Sequence, residues 1–159
     1  MKEISLSITY RLYSPSELCA ADAELVEAAR QATYRSYAPY SHFSVGAAVR
    51  LADGTLLSGS NQENAAYPSG LCAERTTLFY ANSRYPELPV MTLAIAARGT
   101  DGAFLAQPIP PCGACRQVML EVQHRHQYPL RILLYGTAGI YEVSRVEDLL
   151  PFTFDESFL

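Results

Sequence analysis

FSVGAAVRLADGTLLSGSN, residues 43–61, reads as two β-strands joined by a tight turn. Phe43 to Leu51 forms the first strand, Asp53-Gly54 supplies the turn, and Thr55 to Asn61 returns as the antiparallel partner. Downstream, Asn61 to Gly70 is polar and turn-rich, and a helix is expected from about Cys72 to Ser83. Val90 to Ala97 is a nearly continuous apolar run, the pattern of a strand covered on both faces. Gly99 to Pro111 is a loop closing on two prolines. A helix follows from about Gly113 to His126, with Val118, Met119 and Val122 inward. Arg131–Tyr135 and Ile140–Val143 are short strands, and Val146 to Leu150 is a last helical turn before an aromatic tail.

Upstream of the hairpin, Tyr37 to His42 is an aromatic, proline-containing loop. Before it, Ser14-Pro15-Ser16-Glu17 has the form of a helix start, with Ser14 as N-cap and Glu17 as its capping-box partner. Leu18, Ala21, Leu25, Ala28, Ala29 and Ala32 then recur at helical spacing to about Arg35. Met1 to Leu12 alternates polar and apolar residues and is expected to be an edge strand or an extended arm. Strands interleaved with helices imply a layered α/β domain with a mixed sheet, opened by the hairpin and completed by crossovers. The 159 residues fit one domain, large enough to bury roughly two-thirds of its unfolded surface. We divide the chain into an N-terminal arm, 1–13, and a single domain, 14–159.

The formal charge is −4, and no Lys/Arg-rich run is present. Phosphate neutralisation supplies much of the affinity of nucleic-acid binders, so this balance points to a small-molecule substrate. No apolar run is long enough to span a bilayer, and the first residues lack the basic and apolar regions of a signal peptide. A cytoplasmic location is the default expectation. Four cysteines in such a chain are expected to be metal ligands or free thiols, not a disulfide framework. Cys19 stands apart from the other three and is expected to be a small buried apolar residue.

The remaining cysteines fall in Cys72-Ala73-Glu74 and Pro111-Cys112-Gly113-Ala114-Cys115. Both groups sit where a loop turns into a helix. Helix N-termini carry unpaired N–H groups and a partial positive charge, which favour thiolate. Three thiolates leave one tetrahedral zinc position open, as in catalytic rather than structural sites. Glu74, two residues from a ligand, is placed to handle protons. Alone, Cys112-x-x-Cys115 would be a redox motif or half of a structural zinc site about as often as not. His124-x-His126 does not complete such a site, because i and i+2 point to different sides of a helix.

A Cys-x-Glu followed by Pro-Cys-x-x-Cys is the signature of zinc-dependent base and nucleoside deaminases. Residues 40–117 closely resemble the cytidine deaminase family. The matching stretches are Tyr40 to Ala48, Asn61 to Pro68, Cys72 to Thr76 and Pro111 to Gln117, with a further similarity at Leu149-Leu150-Pro151-x-x-Phe154. The resemblance implies a three-layer α/β/α domain with a mixed, roughly five-stranded sheet. It implies one zinc per chain on Cys72, Cys112 and Cys115, with Glu74 as the catalytic proton carrier. It further implies that Asn61 and Glu63 contact the ribose, that Phe43 packs on the pyrimidine, and that Arg75 hydrogen-bonds the ligand sulfurs. Cys rather than His at position 72 corresponds to the homotetrameric branch. In that branch active sites are shared between subunits, and Ala65, Tyr67 and Phe154 match the shared positions.

The implied reaction is hydrolytic deamination of cytidine and 2′-deoxycytidine to uridine and 2′-deoxyuridine, in pyrimidine salvage. A related deaminase of a nucleoside analogue such as blasticidin S, or of a polynucleotide base, is the second reading. A non-catalytic zinc-stabilised binding module is the third. Asn61 and Glu63 favour a free nucleoside, and Glu74 with the missing fourth ligand argues against the binding module.

Overall fold

The computed structural model describes all 159 residues. In chain order its elements are β1 (Arg11–Tyr13), α1 (Ala20–Ala32), β2 (Ser44–Leu51), β3 (Leu56–Ser60), α2 (Ala73–Arg84), β4 (Val90–Arg98), α3 (Gly113–His126), β5 (Arg131–Gly136) and β6 (Gly139–Val143). The strands form one sheet in the order β1-β6-β5-β4-β2-β3. β4 and β5 are parallel and every other neighbouring pair is antiparallel, so the sheet is mixed.

Strand alternation assigns each face its layer. Val45, Ala47, Val49, Leu93, Ile95, Ile132 and Leu134 pack with Leu78, Met119 and Leu120 on the side of α2 and α3. The opposite face offers Ala48, Ala94, Ala96 and Leu133 to Leu25, Val26 and Ala29 of α1. Small residues there let α1 lie close to the sheet. At Gly46 a Cβ would come within 2.1 Å of the Ala29 carbonyl oxygen. The result is the expected α/β/α sandwich.

The sheet has six strands, one more than the rough count of five. The sixth is β1, in the expected edge position, where Arg11, Leu12 and Tyr13 pair with Glu142, Tyr141 and Ile140. An ionic chain fixes it: Arg11 pairs with Glu142, Glu142 with Arg131, and Arg131 with Asp22 of α1.

The start of the first helix also differs. The capping box at Ser14 and Glu17 is present, but it closes only a 3₁₀ turn, Pro15–Glu17. α1 begins afresh at Ala20 with Cys19 as its N-cap. The new start turns Ala21 out to solvent and Asp22 inward, where Arg131 donates to both carboxylate oxygens. Cys19 is exposed, not buried, because the N-cap position lies outside the packed turns of the helix.

Candidate active site

The two crossovers bring the chemical groups together. Antiparallel pairing of β3 with β2, and of β2 with β4, makes β3 and β4 run the same way. α2 follows β3 and α3 follows β4, and both pack on one face of the sheet. Their N-termini therefore emerge side by side beyond the carboxyl ends of these strands, the usual place for a ligand site in such sheets. Cys72 is the N-cap of α2 and Cys112 the N-cap of α3, and neither thiol caps a backbone N–H. Cys115 lies in the first turn of α3 and is fully buried.

The Sγ atoms of Cys72 and Cys112 are 3.8 Å apart, and those of Cys112 and Cys115 are 3.5 Å apart. All three sulfurs lie within 4.8 Å of one another. Three sulfurs bound tetrahedrally at about 2.3 Å would be separated by about 3.8 Å, so the 3.8 and 3.5 Å separations match a zinc site. Arg75 Nη2 donates to Cys72 Sγ at 3.8 Å. The Cys72 thiol is lowered to about 5, first by its hydrogen bond with the Cys115 thiol and further by Arg75, against the opposing effect of burial. Proton sharing inside the cluster leaves Cys115 on the high side. Cys72 is thus the natural first thiolate, since the Arg75 guanidinium acts more strongly on it than on Cys115. Glu74 is buried at 4% exposure in the first turn of α2. Burial raises its carboxyl above the usual range, and the charge on Cys72 adds to the rise.

A cavity of about 480 Å³ opens beside the cluster, lined by Cys72, Arg75, Asn61, Glu63, Tyr40 and Tyr67 among others; Glu74, Cys112 and Cys115 do not line it. The segment after β3 brings Asn61 and Glu63 to this cavity, together with Gln62 and Asn64 between and after them. Asn61 is also a clasp: Nδ2 donates to the Phe43 carbonyl at 2.9 Å, while Oδ1 accepts from Val45 N–H and the Ser36 hydroxyl. One amide N–H remains free for a ligand. Glu63 accepts from the backbone and side chain of residues 40–41, and these bonds hold its carboxyl below the usual range, the Ser41 hydroxyl foremost.

Phe43 does not line the cavity; it is half-buried and packs against the core at the start of β2. Ala65 is exposed outside the cavity, and Tyr67 lines it while 81% exposed. Phe154 lies apart from it in this chain, stacked on Phe158 at 5.8 Å, with its carbonyl accepting from Gln117 of α3. The sequence reading gave no role to Ser41, although it stands in the quoted Tyr40-Ser41-His42-Phe43 stretch. A serine two residues before a strand is a turn signal in itself.

Residues 20–128 match the family model of the cytidine and deoxycytidylate deaminase zinc-binding region. A cytidine deaminase of Halalkalibacterium halodurans is 40% identical over 130 residues, 82% of this chain and 91% of that one. One from Sporosarcina psychrophila is 38% identical over 136 residues, 86% and 93% of the two chains. Among solved structures, the crystal structure of cytidine deaminase from Burkholderia pseudomallei is similar with a TM-score of 0.70 at 41% identity, covering 82% of this chain and 97% of that one. Sheet, thiol cluster and relatives together define a zinc-binding hydrolytic deaminase. The chain belongs to the cytidine and deoxycytidylate deaminase family.

Proposed function

We propose that the protein converts free cytidine and 2′-deoxycytidine to uridine and 2′-deoxyuridine with release of ammonia, a step of pyrimidine salvage. The observation that carries this reading is the three-sulfur cluster with the buried Glu74 two residues from Cys72, next to a cavity that Cys72 and Arg75 line together with Asn61 and Glu63. The cavity has the size of ordinary small-ligand sites. A carboxylate only accepts hydrogen bonds, so Glu63 suits a sugar hydroxyl and repels a phosphate, which favours nucleoside over nucleotide.

Zinc held by Cys72, Cys112 and Cys115, one per chain, would supply an acidified water for attack on C4 of the base. Glu74 would accept a proton from the attacking water on a carboxylate oxygen and deliver it to ring N3. It would then take the proton of the new C4 hydroxyl and pass it to the amino group, which leaves as ammonia while the C4 carbonyl forms. Its burial favours a carboxylate that gives back the proton it takes. Asn61 and Glu63 orient the ribose, Phe43 supports the pyrimidine, and Arg75 offsets the thiolate charge.

Residues 14–159 form the catalytic domain, with 1–13 as an arm stitched to the sheet by its last three residues. The working form is a homotetramer whose sites are completed across subunits by Ala65, Tyr67 and Phe154; the exposure of all three in the single chain supports this. No helix is long and apolar enough to cross a membrane, and four free thiols suit the reducing cytoplasm. An ultraviolet assay for cytidine loss, with zinc measured in parallel, is the test. A zinc-loaded protein that leaves cytidine untouched would refute the reading.

A further inference from the structure

The turn before β2 is built around the Glu63 carboxylate. Ser41 Oγ accepts a hydrogen bond from the Phe43 backbone N–H at 3.1 Å. A serine hydroxyl has a single proton to donate, and here it goes to Glu63 Oε1. The backbone N–H groups of Tyr40 and Ser41 donate to the other oxygen, Oε2, at 2.9 and 3.3 Å. One short loop therefore fills three of the carboxylate's roughly four acceptor positions. Both positions of Oε2 are taken, and one on Oε1 is left over.

Between Ser41 and Phe43 stands His42, whose φ of 54° lies in the left-handed region. A non-glycine residue is uncommon there and persists only where its surroundings hold it. The His42 N–H donates to the Ala38 carbonyl at 3.0 Å, closing the turn from the other side. A serine bonded to the N–H two residues on is a local turn device that fixes the hydroxyl rotor. Ser41 is exposed and contributes nothing to the core, so packing does not account for its contacts. Its hydroxyl is committed at both ends, to the backbone of the strand it precedes and to Glu63.

We propose that Ser41 is a positioning residue: it orients the Glu63 carboxylate so that the one remaining acceptor position on Oε1 receives a sugar hydroxyl of the substrate. The inference rests on the reading of Glu63 as the ribose acceptor. Without the Ser41 hydroxyl, Oε1 would be free to rotate toward water, and the sugar would meet an unaligned acceptor. The loss falls on binding of the sugar alone, because neither Glu74 nor the cluster hydrogen-bonds to Ser41.

The test uses the zinc-loaded full-length protein with two substrates, cytidine and 2′,3′-dideoxycytidine, which lacks both ring hydroxyls. Ser41→Ala should raise KM for cytidine about tenfold, the scale of one hydrogen bond to a charged group, with kcat within about threefold of the parent. KM for the dideoxy substrate and the zinc content should stay at parental values. Ser41→Thr keeps the hydroxyl and should recover most of the cytidine affinity. Glu63→Gln, run alongside, separates the two levels of the argument. If Glu63→Gln penalises cytidine selectively while Ser41→Ala is parental, or loses both substrates by the same factor, the positioning role is overturned and the ribose acceptor stands. If Glu63→Gln discriminates between the two sugars as the parent does, the reading of Glu63 itself falls, and the inference with it.

Discussion

The Sγ atoms of Cys72 and Cys112 meet at 3.8 Å although 40 positions separate them along the chain. Each is an N-cap, and the two helices start side by side because β3 and β4 run in the same direction. The sheet topology thus fixes the metal geometry. Replacing Cys72, Cys112 or Cys115 with Ala should abolish zinc binding and activity together, read by metal analysis and the cytidine assay. Cys19→Ala is the control: its thiol is exposed at the far helix start, and metal and turnover should both survive. A fully active Cys115→Ala protein would remove the ligand assignment.

Glu74→Gln preserves shape and removes the group proposed to carry the proton. Zinc should remain bound, while kcat falls about 10²–10⁴-fold, the scale of general acid–base catalysis. Loss of metal in this variant would show instead that Glu74 is a ligand or a structural residue.

Arg75 tests the charge balance of the cluster. Its Nη2 reaches Cys72 Sγ, and its own pKa is raised first by that contact. Arg75→Gln should lower kcat with the melting temperature little changed, since uncompensated thiolates make zinc a poorer Lewis acid. Unchanged kinetics would exclude this role.

The hairpin, the buried strand β4 and the helix from Gly113 to His126 were legible because each depends on local pattern: a tight turn, an apolar run, and apolar residues at helical spacing after a double proline. The thiol cluster was legible because its spacing is chemical. What escaped were pairings across the chain. An edge strand was expected near the N-terminus, but not its partner β6, and Asp22 is buried only because Arg131 meets it, 109 positions away. Asn61 was read as a ligand contact alone, yet it also clasps residues 36, 43 and 45, an arrangement no local pattern encodes.

That ionic chain carries its own prediction. Arg131 serves two acidic side chains that are 13% and 5% exposed, Asp22 and Glu142. Arg131→Met would leave both without this partner in a low-dielectric setting, and removing one partner of such a set costs about 3–5 kcal/mol. The cost should appear as a lower midpoint in urea unfolding. The surviving Arg11–Glu142 pair and the partial exposure of Arg131 place it toward the lower end. A midpoint equal to the parent's would show that the network is energetically neutral.

The last prediction concerns assembly and the tail. Phe152, Phe154, Phe158 and Leu159 are all exposed in the single chain, at 57% or more. The tail is nevertheless anchored: Gln117 of α3 donates to the Phe154 carbonyl at 2.9 Å, and Arg116 donates to the Leu149 carbonyl at 2.7 Å. Both donors lie on α3, the helix that carries Cys115, and the aromatic rings of the tail they hold stay unburied. Large apolar groups gathered on a surface mark an interaction site, and a neighbouring subunit is the partner that the shared-site reading requires. Light scattering should report a tetramer. Truncation after Pro151 removes no core residue, no zinc ligand and not Glu74, so the monomer fold and zinc content should persist. The assembly should weaken and kcat/KM should fall, because the neighbour no longer completes the cavity. A monomer with full activity, whether or not the tail is present, would refute both the tetramer and the role of Phe154.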